Sequence, residues 1–290
     1  MKGLPIRIIS IGVLLLQLFS CQSPSSSAFK NALTFYVSFD NGTTADFALG
    51  EPDIYTANAT YTNSSRNLEG IRVGMTNADH RIVRREGRFG DAFEFGKPGS
   101  QVLFYQSKDN IAYTPQNWSG TITFWLRVDP STDLDGYTDP IQITDTNFND
   151  ASIWVDFTDQ DPKNFRLGVI GDKNAWTQDT LHSSVKAVFD KRIISIKAST
   201  FSRNTWTHIV ISYDHLGTEN SQASLYLNGE KAGTISGVDD PFTWELEESK
   251  IFLGLNFSGL MDELSIFNKP FTDNQAKELY QLKGGIKSIL

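Results

Sequence analysis

From residue 32 onward the chain alternates apolar and polar positions with a period of two. Leu33, Phe35, Val37 and Phe39 alternate with Thr34, Tyr36, Ser38 and Asp40 before the Asn41-Gly42 turn pair, the pattern of a half-buried strand. The same spacing turns Ile122, Phe124, Leu126 and Val128 inward ahead of Pro130, and does so again at Ile153, Val155 and Phe157, at Phe165, Leu167 and Val169, and at Ile209, Ile211 and Tyr213. Further strands are predicted within residues 91–96, 101–105, 192–198 and 249–255, and Asn228-Gly229 marks a hairpin, because both central residues of a tight type I′ turn need positive φ. One helix is predicted: Thr272 as N-cap with Gln275 three residues on forms a capping box, Ala276, Leu279 and Tyr280 form an apolar stripe, and Gly284 follows the end. Together these predict an all-β fold, a two-sheet antiparallel β-sandwich (jelly roll) with a short C-terminal helix. Residues 131–150 and 158–192 read as long, polar, turn-rich connections, which are uncommon unless functional or mobile.

The first thirty residues break this pattern. Lys2 and Arg7 precede an apolar run from Ile8 to Phe19 that is short for a membrane span and interrupted by Ser10, Gly12 and Gln17, which reads as a secretion signal. Cys21, the single cysteine of the chain, ends that run, after Leu18-Phe19-Ser20 and before a Ser- and Pro-containing stretch. The arrangement resembles the lipobox of bacterial lipoproteins, with Leu18 and Ser20 matching, and implies that Cys21 is lipidated and anchors the protein to a membrane. Residues 1–20 are then a signal peptide, 21–31 a lipidated cysteine and flexible tether, 32–283 one folded domain and 284–290 a tail. Gln22 follows the cysteine where an Asp would signal inner-membrane retention, which points to the outer membrane of a bacterial envelope. Charge is −8, from 26 Lys and Arg against 34 Asp and Glu, so the chain does not invite nucleic acid. With one cysteine there is no intrachain disulfide.

Six stretches occur in an order that resembles the LamG-like jelly-roll family of the concanavalin A-like lectin/glucanase superfamily: residues 33–50, 87–96, 120–130, 204–214, 223–233 and 257–280. The resemblance implies two antiparallel sheets packed face to face with the first and last strands adjacent. It also implies a role in carbohydrate recognition or adhesion at cell surfaces, with catalysis in some branches only, since fold does not fix function.

Four sets of residues carry candidate chemistry. Period two puts Asp262 on one face with Leu264 and Ile266, pointing inward, and Glu263 on the opposite face as an ordinary surface acid. A carboxylate among apolar residues needs a partner: calcium, backbone N–H groups, or an arginine. The resemblance brings Asp40 near Asp262 and implies a structural calcium joining the two ends of the domain, which suits oxygen ligands. A glycan needs an exposed aromatic plane with polar groups beside it, and Trp154, Asp156 and Trp176 are the candidates, the first two on the face opposite Ile153 and Val155 and the third in a polar loop. The histidines, His80, His182, His208 and His215, have no metal-ligand spacing. Hydrolysis on this fold uses three alternating acids, E-x-D-x-E, which would place nucleophile and acid/base on one strand face. The nearest pairs, Glu245 with Glu247 and Asp159 with Asp161, lack the third acid. The sequence therefore points to a non-catalytic glycan-binding or adhesion module on a lipid anchor. A glycoside hydrolase and a protein-binding adhesin or structural envelope component are the alternatives.

Overall fold

The computed structural model describes residues 24–59, 68–99, 101–178 and 183–290. Two antiparallel sheets face each other. With strands numbered in chain order, the first runs β15 (Glu230–Ser236), β14 (Gln222–Leu227), β13 (Thr207–Leu216), β8 (Trp118–Arg127), β17 (Gly259–Phe267), β1 (Leu33–Val37) and β2 (Phe47–Ala48). A hairpin of β5 (Arg81–Val83) and β6 (Ala92–Phe95) joins this sheet beside β17. The second sheet runs β12 (Ile193–Lys197), β11 (Asn164–Ile170), β10 (Asp150–Phe157), β9 (Thr138–Asn147), β16 (Lys250–Leu255), β7 (Gln101–Gln106), β3 (Tyr55–Asn58) and β4 (Glu69–Val73). This is the jelly-roll-like sandwich expected, with β1 and β17 paired as the family pattern implies.

The inward positions read from the sequence meet in one core: Phe35, Val37, Ile122, Phe124, Ile153, Val155, Leu167 and Ile211 are all fully buried there. The β14–β15 turn has Asn228 at φ 51° and Gly229 at φ 81°, the left-handed pair that a type I′ hairpin requires. The C-terminal helix α5 (Asp273–Gln281) has its capping box in place. Residues 131–150, read as a loop, instead contain most of the short helix α2 (Pro130–Asp133) and β9, whose Ile141 and Ile143 enter the core. Outward Asp139, Gln142 and Thr144 disguised that alternation as a polar connection.

Both ends of the described segment from residue 24 to 290 belong to the fold. Residues 24–31, expected to be tether, form most of helix α1 (Pro24–Ala32). Phe29, 1% exposed, packs its ring on Phe271 at 5.0 Å and Phe267 at 6.4 Å. The expected tail ends in a 3-10 turn, Ile286–Ile289, whose two isoleucines are buried in the same cluster. Burying one such phenylalanine stabilises by about 2–3 kcal/mol, enough to dock a nine-residue helix that would not persist alone in water. Cys21 and the signal segment lie outside the described residues.

Strand β17 departs from simple alternation. Its pairing with β8 is regular from Leu260 to Asp262, slips, and resumes at Ser265. Glu263 occupies the slip with φ 56°, a β-bulge that inserts one residue and re-aims its neighbours. Met261, Leu264 and Ile266 therefore enter the core, while Asp262 lies opposite Trp125 on the outer side. The expectation that Asp262 shares a face with Leu264 and Ile266 is corrected by this one extra residue.

Candidate functional site

On the outer face of the second sheet, Asp156 of β10 lies directly across from Arg166 of β11, which in turn lies across from Ser195 of β12. The Asp156 carboxylate accepts from Arg166 Nε at 2.8 Å and from Nη2 as well, a bidentate pair that fixes the guanidinium plane. Held this way, the guanidinium lies 5.4 Å from the Trp154 ring centre and 5.2 Å from that of Tyr137, within cation–π range of both. Tyr137 is 38% exposed. Burial, then Asp159, push its phenol pKa up, so it stays a neutral hydroxyl at neutral pH. Tyr137, Arg166, Gln160, Asn164, Asp190 and Ser195 line a recess of about 440 Å³. An exposed ring ringed by hydrogen-bonding side chains is what a sugar's apolar face and hydroxyls require.

The structure places the sequence candidates differently from one another. Asp156 is at this site, as the residue that orients Arg166. Trp154, 2% exposed, and Trp176, 3% exposed, offer no open plane. Trp176, the buried residue of α3 (Lys173–Trp176), and Val188 of α4 (Val185–Asp190) pack with Ile170 and Trp154 in one cluster. Trp154 Nε1 donates to the Phe148 carbonyl at 2.7 Å and Trp176 Nε1 to the Asn149 carbonyl at 3.0 Å. Gly168 makes room for the first indole, since a Cβ there would sit 2.3 Å from the ring. The loop holding Trp176 folds back on the sheet and covers both rings, which overturns their reading as exposed platforms. Tyr137 and Arg166 were missed, although Arg166 alternates with Phe165 and Leu167 and so was assignable to the outer face.

The two carboxylates expected to share calcium both hold the loop between β5 and β6. Asp40 Oδ1 accepts from the Asp91 N–H and Asp262 Oδ2 from the Phe89 N–H, each at 2.9 Å. A Cβ at Gly90 would come within 2.1 Å of Asp40 Oδ1, and one at Gly87 within 2.8 Å of Asp262 Oδ2, so glycines are what allow the loop this close. Asp262 is fully buried, and burial pushes its pKa to about 8. That favours the neutral acid at pH 7 in the metal-free protein. Among the described residues no three of His, Cys, Asp and Glu are grouped to hold a metal. Each carboxylate thus has one oxygen on a loop N–H, the backbone-capping arrangement, while Asp262 Oδ1 has no hydrogen-bond partner among the described residues.

Glu263 is corrected too. Expected at the surface, it is 3% exposed and accepts from Tyr36 Oη at 2.5 Å and from the Ile286 N–H at 2.7 Å. Burial first, with Asp40 and Asp46 adding to it, raises its pKa to about 7. His208 is packed against Trp125 and Tyr280, and burial lowers its pKa to about 3, the structural histidine expected. Glu245, Glu247, Asp159 and Asp161 all lie outside strands, and Glu247 pairs with Lys108 at the surface, so none forms an acid pair on a sheet face.

A laminin G family model described as the concanavalin A-like lectin/glucanases superfamily matches residues 104–277. No curated protein matches the sequence. Among solved structures, the chain is similar to domain 4 of AbnA, a GH43 extracellular arabinanase from Geobacillus stearothermophilus, in complex with arabinotriose. Identity is 18%, coverage 86% of this chain and 98% of that one, and TM-score 0.52. It is also similar to the binding domain of Paraclostridial Mosquitocidal Protein 1, at 16% identity, 87% and 52% coverage and TM-score 0.54. A third match is the botulinum neurotoxin serotype D ligand binding domain in complex with N-acetylneuraminic acid, at 12% identity, 89% and 53% coverage and TM-score 0.56. The chain spans about half the length of these two toxin domains. At such identities these likenesses concern the fold.

Proposed function

Because the chain belongs to the concanavalin A-like lectin/glucanase superfamily, we propose that it is a non-catalytic glycan-binding or adhesion module, lipid-anchored through Cys21 in the outer membrane of a bacterial envelope. The observation that carries the glycan reading is the exposed Tyr137 ring beside an Arg166 guanidinium locked by Asp156. Tyr137 supplies the stacking plane, and Arg166, Asn164 and Gln160 supply hydrogen bonds to hydroxyl or carboxylate groups of the sugar. Two of the similar domains were solved with saccharides, arabinotriose and N-acetylneuraminic acid, which makes these the first probes. The lipoprotein reading is supported by the position of Cys21 after the apolar run.

A glycan array followed by calorimetric titration tests the reading. Binding is expected, with Tyr137→Ala weakening it about tenfold, the scale of losing one well-placed aromatic contact. A blank array, with a protein recovered in pull-down whose capture survives Tyr137→Ala, would favour the protein-binding adhesin. Glycan turnover abolished by Glu245→Gln or Glu247→Gln would favour a hydrolase.

A further inference from the structure

The loop between β5 and β6 reads Arg84-Arg85-Glu86-Gly87-Arg88-Phe89-Gly90-Asp91. Arg84, Arg85 and Arg88 are exposed, and among the described residues none of the three takes part in a salt bridge, because the nearby acids are already engaged. Glu86 pairs with Arg127, Glu94 pairs with Arg81, and the Asp91 carboxylate accepts from the Arg85 N–H at 2.9 Å. The loop is rigidly held: Asp40 and Asp262 cap its N–H groups, and the Gly87 N–H donates to the Gly90 carbonyl at 3.0 Å. In a chain of net charge −8, three arginines without an ion-pair partner among the described residues lie within five residues on a fixed loop and outnumber its two acids.

The loop shares its surroundings with the C-terminal turn, which packs in turn on α1. Phe89 abuts Gly285, and Lys287 Nζ lies 3.2 Å from Asp40 Oδ2. The Arg88 guanidinium lies 4.8 Å from the Trp125 ring centre, and Trp125 packs on Tyr280 of α5. The terminal 3-10 turn is buried together with α1, and Lys30 of α1 donates to the Leu290 carboxyl-terminal oxygen at 2.5 Å. Lys283 adds an exposed cation beside the turn. Pro24 of helix α1 is three residues after Cys21, a separation that the chain limits to about 10 Å. That is comparable to the Debye length of about 8 Å at physiological ionic strength.

We propose that Arg84, Arg85 and Arg88, with Lys283, form a docking surface for the anionic phospholipid headgroups of the membrane that carries the anchor. Guanidinium groups match phosphate oxygens through paired N–H donors, and a basic surface held near a bilayer gains from the negative surface potential. The choice of partner rests on the lipid-anchor reading of Cys21. The arginine surface itself stands on geometry alone. The anchor fixes one point of the protein, and the arginine loop fixes a second, which would set the domain's orientation.

The test is vesicle sedimentation of the chain carrying Cys21→Ser, so that acyl insertion does not mask the headgroup contribution. Phosphatidylcholine vesicles are compared with vesicles that also contain phosphatidylglycerol. Binding to the anionic vesicles only is expected, falling as salt rises, and at least about tenfold weaker in the triple variant Arg84→Gln, Arg85→Gln, Arg88→Gln, with an unchanged melting temperature showing that the variant folds. Equal sedimentation with both vesicle types, or an unaffected triple variant, would overturn the proposal. So would stronger capture by a soluble polyuronate than by anionic vesicles, which would assign the loop to an acidic glycan. Mass spectrometry of the processed N-terminus tests the anchor separately, and the Tyr137→Ala titration tests the glycan site separately.

Discussion

The two sheets of the sandwich treat their outer faces in opposite ways. The first sheet covers its face with helices and the C-terminal turn: Tyr36, Val210, Tyr226 and Phe267 are packed beneath Phe29, Phe271, Leu279, Ile286 and Ile289. The second sheet buries Trp154 on its outer face against Trp176 of α3 and Val188 of α4, but next to them it leaves Tyr137 and the Asp156–Arg166 pair at an open polar recess. Apolar cover on one side provides stability without offering a surface to a ligand. A recess whose polar groups are held in place by a neighbouring strand offers such a surface, and it depends on that pairing for its geometry.

Three measurements would break or sharpen this contrast. Phe29→Ala, on the covered face, should cost about 3–5 kcal/mol, the range for truncating a buried phenylalanine, and lower Tm by roughly 10 °C. The matching change on the open face, Tyr137→Ala, should cost under about 1 kcal/mol. Equal losses by thermal melting would mean that the recess is as structural as the helical cover.

A smaller effect should appear with pH. Asp262 and Glu263 have folded pKa values raised to about 8 and about 7, so the folded state holds protons that the unfolded state has already released. Raised carboxyl values stabilise at low pH and lose that contribution as pH climbs through them. Tm should therefore fall as pH rises from about 4.5 to about 8, most cleanly above about pH 7.5, where His80 and His208 are neutral in both states. Below it, the lowered histidine values of the fold work in the opposite direction. Asp262→Asn, which keeps an acceptor for the Phe89 N–H, should flatten the upper part of the decline. An unchanged slope would show that Asp262 is ionised throughout.

The smallest effect expected is that of calcium. With Asp40 and Asp262 committed to backbone N–H groups, neither EDTA nor added calcium should move Tm by more than about 1 °C, the response of a fold with no metal linkage. A larger rise with calcium would restore the metal reading.

Much of the fold was legible because most inward positions obey period two and because the Asn228-Gly229 and Thr272 signals act locally. The failures have specific causes. One bulge residue at Glu263 shifted the facing of Asp262, and no composition or spacing rule announces a bulge in advance. Trp154 was correctly placed on the outer face, but its burial depends on α3 and α4 folding over it, a tertiary event that strand periodicity does not contain. Residues 24–31 read as tether because their Ser and Pro content hides one decisive aromatic, Phe29. At the site, Asp156 was legible as an outward acid, whereas its partner Arg166 required knowing that β10 and β11 pair in register.

The place of β17 has a consequence for how the molecule is made. The last strand of the chain lies in the interior of the first sheet, between β8 and β1, so residues synthesised last bridge residues synthesised first. Contacts of such wide sequence separation form slowly, and a chain still emerging from the ribosome has no means of closing the sheet. The first sheet is complete only when the strand from Gly259 onward has arrived, after which Glu263 can engage Tyr36 and the Ile286 N–H together.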